Sequence, residues 1–237
     1  MLSVKGISFT RGAFTLRTGN LSVTKGEKIA IIGENGSGKS TLLHILTGLI
    51  DCGGIEYGGV PLESMNALKR ASLLAFMPQL PSVVFPFTVF EVVRLGRYAG
   101  RHMRNADAET DETLRLTGLD EMRERPFNEL SGGEKRRVML ARALNQGTDT
   151  LFLDEPVSML DVRHSLEITE LLIKSDKTVI ASMHDVNLSM RYFDRVWMMT
   201  EGNLLYDIAP EQATTNMLSE VFNVTTHFSN NHYSFSI

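Results

Sequence analysis

An α/β fold is predicted for this chain by three features of its sequence. Residues 28–50 run from the apolar segment KIAIIG through a glycine-rich loop into STLLHILTGLI, the order strand, loop, helix. Residues 148–185 start as the strand TDTLFLDEP, continue as a helix from about Val162 and end in the strand KTVIASMHD, the alternation of a wound sheet. From about Pro86 to Ala143, apolar residues recur at helical spacing in TVFEVVRLGRY, ETDETLRLTGL and EKRRVMLARAL, so a helical insertion interrupts the core.

The remaining elements follow in order. Residues 2–32 read as short β segments broken by turns, an antiparallel N-terminal β subdomain. Ile55 to Pro61 suit a short strand pair punctuated by Gly53, Gly54, Gly58 and Gly59. Residues 195–207, RVWMMTEGNLLYD, form a hairpin turning at Glu201 and Gly202, and the tail from Pro210 adds the helix EQATTNMLSEVF with room for one final strand. The expectation is one domain over residues 1–237, with a helical subdomain at about 86–143 and a C-terminal hairpin, helix and tail at 195–237.

Composition narrows the function. A hydrophobic fraction of 43% with 22% charged residues suits a soluble globular chain, and a net charge of -4 supplies no basic field for nucleic acid. Phosphate binding, if present, is therefore local. Cys52 has no cysteine to pair with and sits in the turn-like DCGG. The uncharged runs fall short of the roughly 18 residues of a spanning helix, so a chain neither exported nor membrane-spanning is expected.

Three segments carry chemistry. In GENGSGKST, Gly33, Gly36 and Gly38 let the backbone curl so that successive amides face inward, and Lys39 reaches the terminal phosphates. The helix that starts there directs its positive end at them, and Ser40 offers a hydroxyl to magnesium. LFLDEP ends an apolar strand in two carboxylates. Asp154 is the candidate to hold magnesium through its waters, and Glu155 the candidate to orient and deprotonate the water that attacks the γ-phosphate. LSGGEKRR places Ser131, Gly132 and Gly133 before another helix, a second phosphate cradle without a second base pocket. Gln79 in FMPQLP is a neutral side chain able to contact both metal and water, and His184 follows a third core strand. The methionines at 183, 190, 198 and 199 read as core packing.

With GENGSGKST, Gln79, LSGGE, LFLDEP, the MLD of residues 159–161 and His184 in this order and spacing, the chain resembles the ATP-binding subunits of ABC transporters. That resemblance implies a P-loop core of ABC type, ATP with Mg2+, and a homodimer in which each signature segment closes over ATP held by the other subunit. It assigns Gly33, Asn35, Gly36, Ser37, Gly38, Lys39, Ser40 and Thr41 to the nucleotide, and Lys39, Gln79, Glu155 and His184 to catalysis. Ser40, Gln79 and Asp154 go to the metal. Ser131, Gly132, Gly133, Glu134 and Asp161 go to the partner's site, Asp161 coupling the two. The family usually stacks an aromatic residue on adenine from the first β-hairpin; here Arg11 occupies that place, with Phe9 or Phe14 as substitutes.

Within that family, PFTVFEVVRLGRYAG and MLSEVFNV look like the ATPases of iron-siderophore, haem and cobalamin importers. This implies polytopic membrane permease subunits as partners, a substrate-binding protein acting indirectly, no nucleic acid, and a peripheral location on the cytoplasmic face of the inner (plasma) membrane. The stretch from Val83 to Tyr98, with Phe85 and Phe87, is the surface expected to receive the permease. A soluble ATPase of the same architecture, such as an iron–sulfur assembly factor, is the alternative.

Overall fold

The computed structural model describes residues 1–79, 86–99 and 105–237, and these form two compact units. Unit 1 comprises Met1–Met65 and Ile180–Ile237; unit 2 comprises Asn66–Val179.

Unit 1 begins with strands β1 (Leu2–Lys5), β2 (Ser8–Arg11), β3 (Phe14–Arg17), β4 (Asn20–Val23) and β5 (Lys28–Gly33), then helix α1 (Lys39–Leu46). Next come the short β6 (Ile55–Tyr57) and β7 (Val60–Pro61). In β1 and β4 buried residues alternate with exposed or half-buried ones, as a sheet with one covered face requires. Together with β6 and β7 they form the antiparallel sheet β4-β1-β6-β7. The strand pair expected at 55–61 is thus the edge of a larger sheet. In contrast, β5 is buried at every position, and its neighbours explain why.

Unit 2 contains α2 (Ala67–Ala71), β8 (Leu74–Met77), α3 (Val89–Arg94), α4 (Ala106–Leu116), α5 (Gly132–Asn145), β9 (Thr150–Asp154) and α6 (Val162–Lys174). Strand β8 pairs in parallel with β9, Met77 opposite Leu153. Leu151, Phe152 and Leu153 have no exposed surface, so this segment reads as a continuous apolar run rather than an alternating one. Helix α3 starts at Thr88 with a reciprocal cap: Glu91 N donates to the Thr88 hydroxyl, and Thr88 N donates to the Glu91 carboxylate at 2.8 Å.

Strand β10 (Thr178–Ser182) carries the chain back to unit 1, which closes with α7 (Val186–Tyr192), β11 (Arg195–Thr200) and β12 (Asn203–Ile208). Helix α8 (Thr215–Phe222) and strands β13 (Thr225–Ser229) and β14 (His232–Ser236) follow. β11 lies parallel to β5, Trp197 opposite Ile31, and pairs with β12 through the expected hairpin at Glu201 and Gly202. Met183, Met198 and Met199 are buried core residues, and Met190 is half-buried. Two strands, not one, close the chain. Asn230 and Asn231 both take positive φ, 50° and 59°, the backbone of a two-residue hairpin turn, and so fold the tail back on itself.

Candidate active site

In unit 1 the phosphate loop leaves β5 at Gly33 and enters α1 at Lys39. Two of its glycines are required by close approach. A Cβ on Gly33 would overlap the Met199 carbonyl of β11, and one on Gly38 would sit 2.9 Å from Phe14 Cζ. Gly38, at φ 105°, is also the N-cap of α1, so no side chain caps that helix and no acid occupies its first turn. The amide end of α1 is therefore kept for an external anion. Lys39 is buried, its Nζ donating to the Gly33 and Glu34 carbonyls at 2.8 Å each, which draws the ammonium across the loop. Ser37 Oγ is buried without a hydrogen-bond partner among the described residues, a polar atom that a phosphate oxygen would satisfy. Asn35 and Gly36 are exposed, and Ser40 and Thr41 half-buried.

The same unit places His184. Met183 N donates to the Ile31 carbonyl of β5 at 2.9 Å, so the exposed His184 follows directly on a segment bonded to the strand that ends in the phosphate loop. Arg11 is exposed at the end of β2, whereas Phe14 packs under the loop against Gly38 and near Gly202.

Unit 2 assembles the acids. Because β8 and β9 run parallel in register, Gln79 and the pair Asp154 and Glu155 emerge at the same strand ends. Gln79 Nε2 donates to Glu155 Oε1 at 2.7 Å. Asp154 is buried, and Glu155 is half-buried with φ 53°, a left-handed backbone uncommon for a residue other than glycine. Its carbonyl accepts from Ser158 N and Ser158 Oγ at 3.2 and 3.1 Å, and from the guanidinium of Arg136 on α5.

The signature segment forms the start of α5. Ser131 is the N-cap: its hydroxyl accepts from Glu134 N, while Ser131 N donates to the Glu134 carboxylate at 2.7 Å. That amide, then the Ser131 hydroxyl and Arg125, hold the Glu134 carboxyl below its ordinary pKa. Gly132 and Gly133 take the first two helical positions, whose amides have no acceptor within the helix. A Cβ on Gly133 would lie 2.9 Å from the Met159 carbonyl, so this glycine lets the 159–161 segment close against the helix start. Met159 has φ 64° and is 74% exposed. Asp161 caps α6 by accepting from His164 N at 2.9 Å, and it also meets His164 Nδ1 at 2.7 Å. These contacts, the His164 amide first, hold its carboxyl below the ordinary range. Ser131, Gly132, Gly133, Met159 and Asp161 line one open cavity of about 410 Å³.

The structure thus gathers the expected residues into three clusters: the phosphate loop with His184, Gln79 with Glu155 and Asp154, and the signature with Asp161. Sequence reasoning missed Arg136, for which LSGGEKRR offered only a basic run, and it missed the left-handed backbone at Glu155 and Met159, neither of them a residue type that favours it.

Comparison with known proteins decides the family, for the ABC transporter family matches residues 16–158. The chain belongs to the ABC transporter family. Its relatives include a hemin import ATP-binding protein of Jannaschia sp. (strain CCS1), 40% identical over 239 residues, 95% of this chain and 88% of that one. A petrobactin import ATP-binding protein of Bacillus anthracis is 33% identical over 237 residues, covering 94% and 87% of the two chains. Among solved structures, the dimeric structure of a bacterial ABC transporter cassette matches with a TM-score of 0.78 at 25% identity, over 89% of this chain and 99% of that one. As an ABC transporter cassette the chain has the P-loop ABC fold and is an ATPase. Among the described residues, no helix of this ABC cassette is long and apolar enough to cross a membrane.

Proposed function

We propose that this chain is the ATP-hydrolysing subunit of an importer that moves an iron chelate of the haem or siderophore type through separate permease subunits. The observation that carries this reading is the identity, over about nineteen-twentieths of the chain, to a hemin import and a petrobactin import protein. Those names also count against a soluble assembly ATPase. Such a subunit is peripheral, on the cytoplasmic face of the plasma membrane.

In this reading Gly33 to Thr41 hold the phosphates of ATP through backbone amides and Lys39. The Glu155 carboxylate takes a proton from water as its oxygen attacks the γ-phosphorus and the bond to the ADP oxygen breaks. Gln79 holds that carboxylate in place, and His184 contacts the γ-phosphate. Ser40, Gln79 and Asp154 offer only oxygen donors, the set a magnesium ion takes, and the ion, when bound, neutralises charge on the phosphates. Arg11 lies flat on the adenine through its planar guanidinium.

The signature acts on a second copy. The Gly132 and Gly133 amides lie on an open surface beside Met159, an apolar side chain exposed at 74% and suited to burial by another chain. ATP then bridges two copies, and hydrolysis releases them. Deletion of the gene tests the transport role. Loss of growth on haem or on a ferric siderophore as sole iron source, with the chain co-purifying with a polytopic membrane protein, is expected. Unchanged growth on both, with the chain remaining free of membrane partners, would favour the soluble ATPase.

A further inference from the structure

Arg136 is the one arginine buried among the described residues, with 3% of its surface exposed. Its Nε donates to the Glu155 carbonyl at 2.8 Å and its Nη2 to the Asp154 carbonyl at 2.6 Å. Nη2 also reaches the Glu155 carbonyl, and Nη1 donates to the Gln79 carbonyl. One guanidinium therefore grips the main chain at three residues, two beside each other at the end of β9 and one beyond the end of β8. Burial lowers its pKa from the ordinary arginine value, while the charges of Glu155 and Asp154 raise it. A buried cation spent on neutral carbonyls is costly unless the geometry it enforces matters.

The geometry it enforces is unusual. Glu155 stands at φ 53°, and backbone in that region persists only where the surroundings fix it. The carbonyls on either side of the Glu155 amide-to-carbonyl span, those of Asp154 and Glu155, are the ones Arg136 holds. The third carbonyl belongs to Gln79, whose side chain meets the Glu155 carboxylate. Arg136 itself lies four residues past Gly132, on the helix that begins with the signature.

We propose that Arg136 is a positioning residue for ATP hydrolysis: it fixes the peptide planes from which the Glu155 carboxylate and the Gln79 amide project, and ties those planes to the signature helix. The proposal rests on Glu155 as the base. When the N-terminus of α5 moves against a phosphate, its fork carries the displacement to Gln79, Asp154 and Glu155. Lysine has three donors at one point and lacks the planar fork that reaches several carbonyls in fixed directions, so it serves in part only.

The test uses the full chain with Arg136→Gln, Arg136→Lys, Glu155→Gln and the double variant Arg136→Gln with Glu155→Gln. Arg136→Gln is expected to lower kcat about 10- to 100-fold, the usual cost of a misplaced reacting group. KM for ATP should stay within about 3-fold and binding of a fluorescent ATP analogue should be unchanged, because ground-state binding is untouched. Arg136→Lys should recover part of the lost rate. If Arg136 acts through Glu155, the double variant hydrolyses radiolabelled ATP no more slowly than Glu155→Gln alone.

A folded Arg136→Gln with normal kcat, or a double variant whose losses multiply, overturns the proposal. Failure of both the Gln and Lys variants to fold does so too, since Arg136 is then a structural residue. A Glu155→Gln variant that keeps normal turnover removes the base assignment, and the positioning role falls with it. A slow Glu155→Gln beside a fast Arg136→Gln overturns the positioning alone.

Discussion

Gln79 donates a hydrogen bond of 2.7 Å to the carboxylate of Glu155, joining the residue beyond β8 to the end of β9. The carboxylate is thereby held at one oxygen, and the proposed base role of Glu155 can be tested against that contact. In Glu155→Gln the new side-chain carbonyl still accepts from Gln79, so the geometry survives while the basicity is lost. Turnover should fall by at least about 10²-fold, the usual worth of a positioned base, with ATP binding intact. Size-exclusion chromatography with ATP should show a dimer that accumulates. A monomer only, or near-normal turnover, removes Glu155 from the base role.

The phosphate loop predicts a contrast between two glycines. Gly36 has φ 81° and open space where a Cβ would stand, whereas on Gly33 the Cβ would overlap the Met199 carbonyl of the paired strand. Gly36→Ala should cost about 1–2 kcal/mol, the penalty of left-handed backbone. Gly33→Ala should cost at least about 2 kcal/mol more, because β5 and β11 must separate. Urea denaturation of the two variants measures the difference, and equal midpoints would contradict the close approach.

The elements that were legible in the sequence are those with a strong local pattern. IAII, LFL and VIA are buried on both faces, so each is a continuous apolar run, and the Glu201 and Gly202 turn marks its hairpin without help from distant residues. Strand β8 has only four residues and no turn signal of its own, and it becomes a strand by pairing with β9, 76 positions later at Leu74 and Thr150. The Asn230 and Asn231 turn was available as a signal, since asparagine tolerates left-handed backbone, and HYSFS after it alternates polar with aromatic residues, but TTHFS before it is polar save for Phe228 and offered no alternation to complete the hairpin. At the site, motif residues were legible and the groups that aim them were not. The Arg136 fork reaches carbonyls, which every residue possesses, so no sequence pattern marks its targets.

The cap of the signature helix predicts a pH dependence. The Glu134 carboxyl is held below its ordinary pKa chiefly by the Ser131 amide. A depressed carboxyl stabilises the folded chain above its unfolded pKa of about 4.3, and that contribution disappears as pH falls through the lower folded value. Glu134→Gln keeps a carbonyl acceptor for Ser131 N but has no charge to lose. Wild type should therefore be the more stable above about pH 5, with the two curves converging on acidification. A constant offset at every pH would show that the charge of Glu134 contributes nothing.

The stretch Val83 to Tyr98, expected to receive the permease, has its described part at α3 and the turn after it. Leu95 and Tyr98 are exposed there at 46% and 83%, Phe87 is half-buried, and Phe85 lies outside the described residues. Large apolar side chains left open at one place suit a partner's helix. Cysteines at 95 and 98 should crosslink to a co-expressed membrane subunit. Crosslinks arising only from the β11–β12 hairpin would relocate the contact.

The open cavity around Ser131, Gly132 and Gly133 makes a test of which chain the signature serves. Lys39→Ala spoils the phosphate loop, and Ser131→Arg blocks the signature with bulk and charge. If the signature acts on its partner's nucleotide, a mixed dimer contains one site with both defects and one site with neither. If it acts on its own chain, both sites of that dimer are damaged. Each variant alone should fail to form a hydrolytically competent pair, whereas an enforced heterodimer should trap nucleotide at up to one site. Trapping is a better readout than turnover, because the coupling that the resemblance implies for Asp161 would demand two intact sites for full hydrolysis. A heterodimer that traps no more nucleotide than either variant homodimer would remove the composite site and leave the Gly132 and Gly133 amides without a ligand.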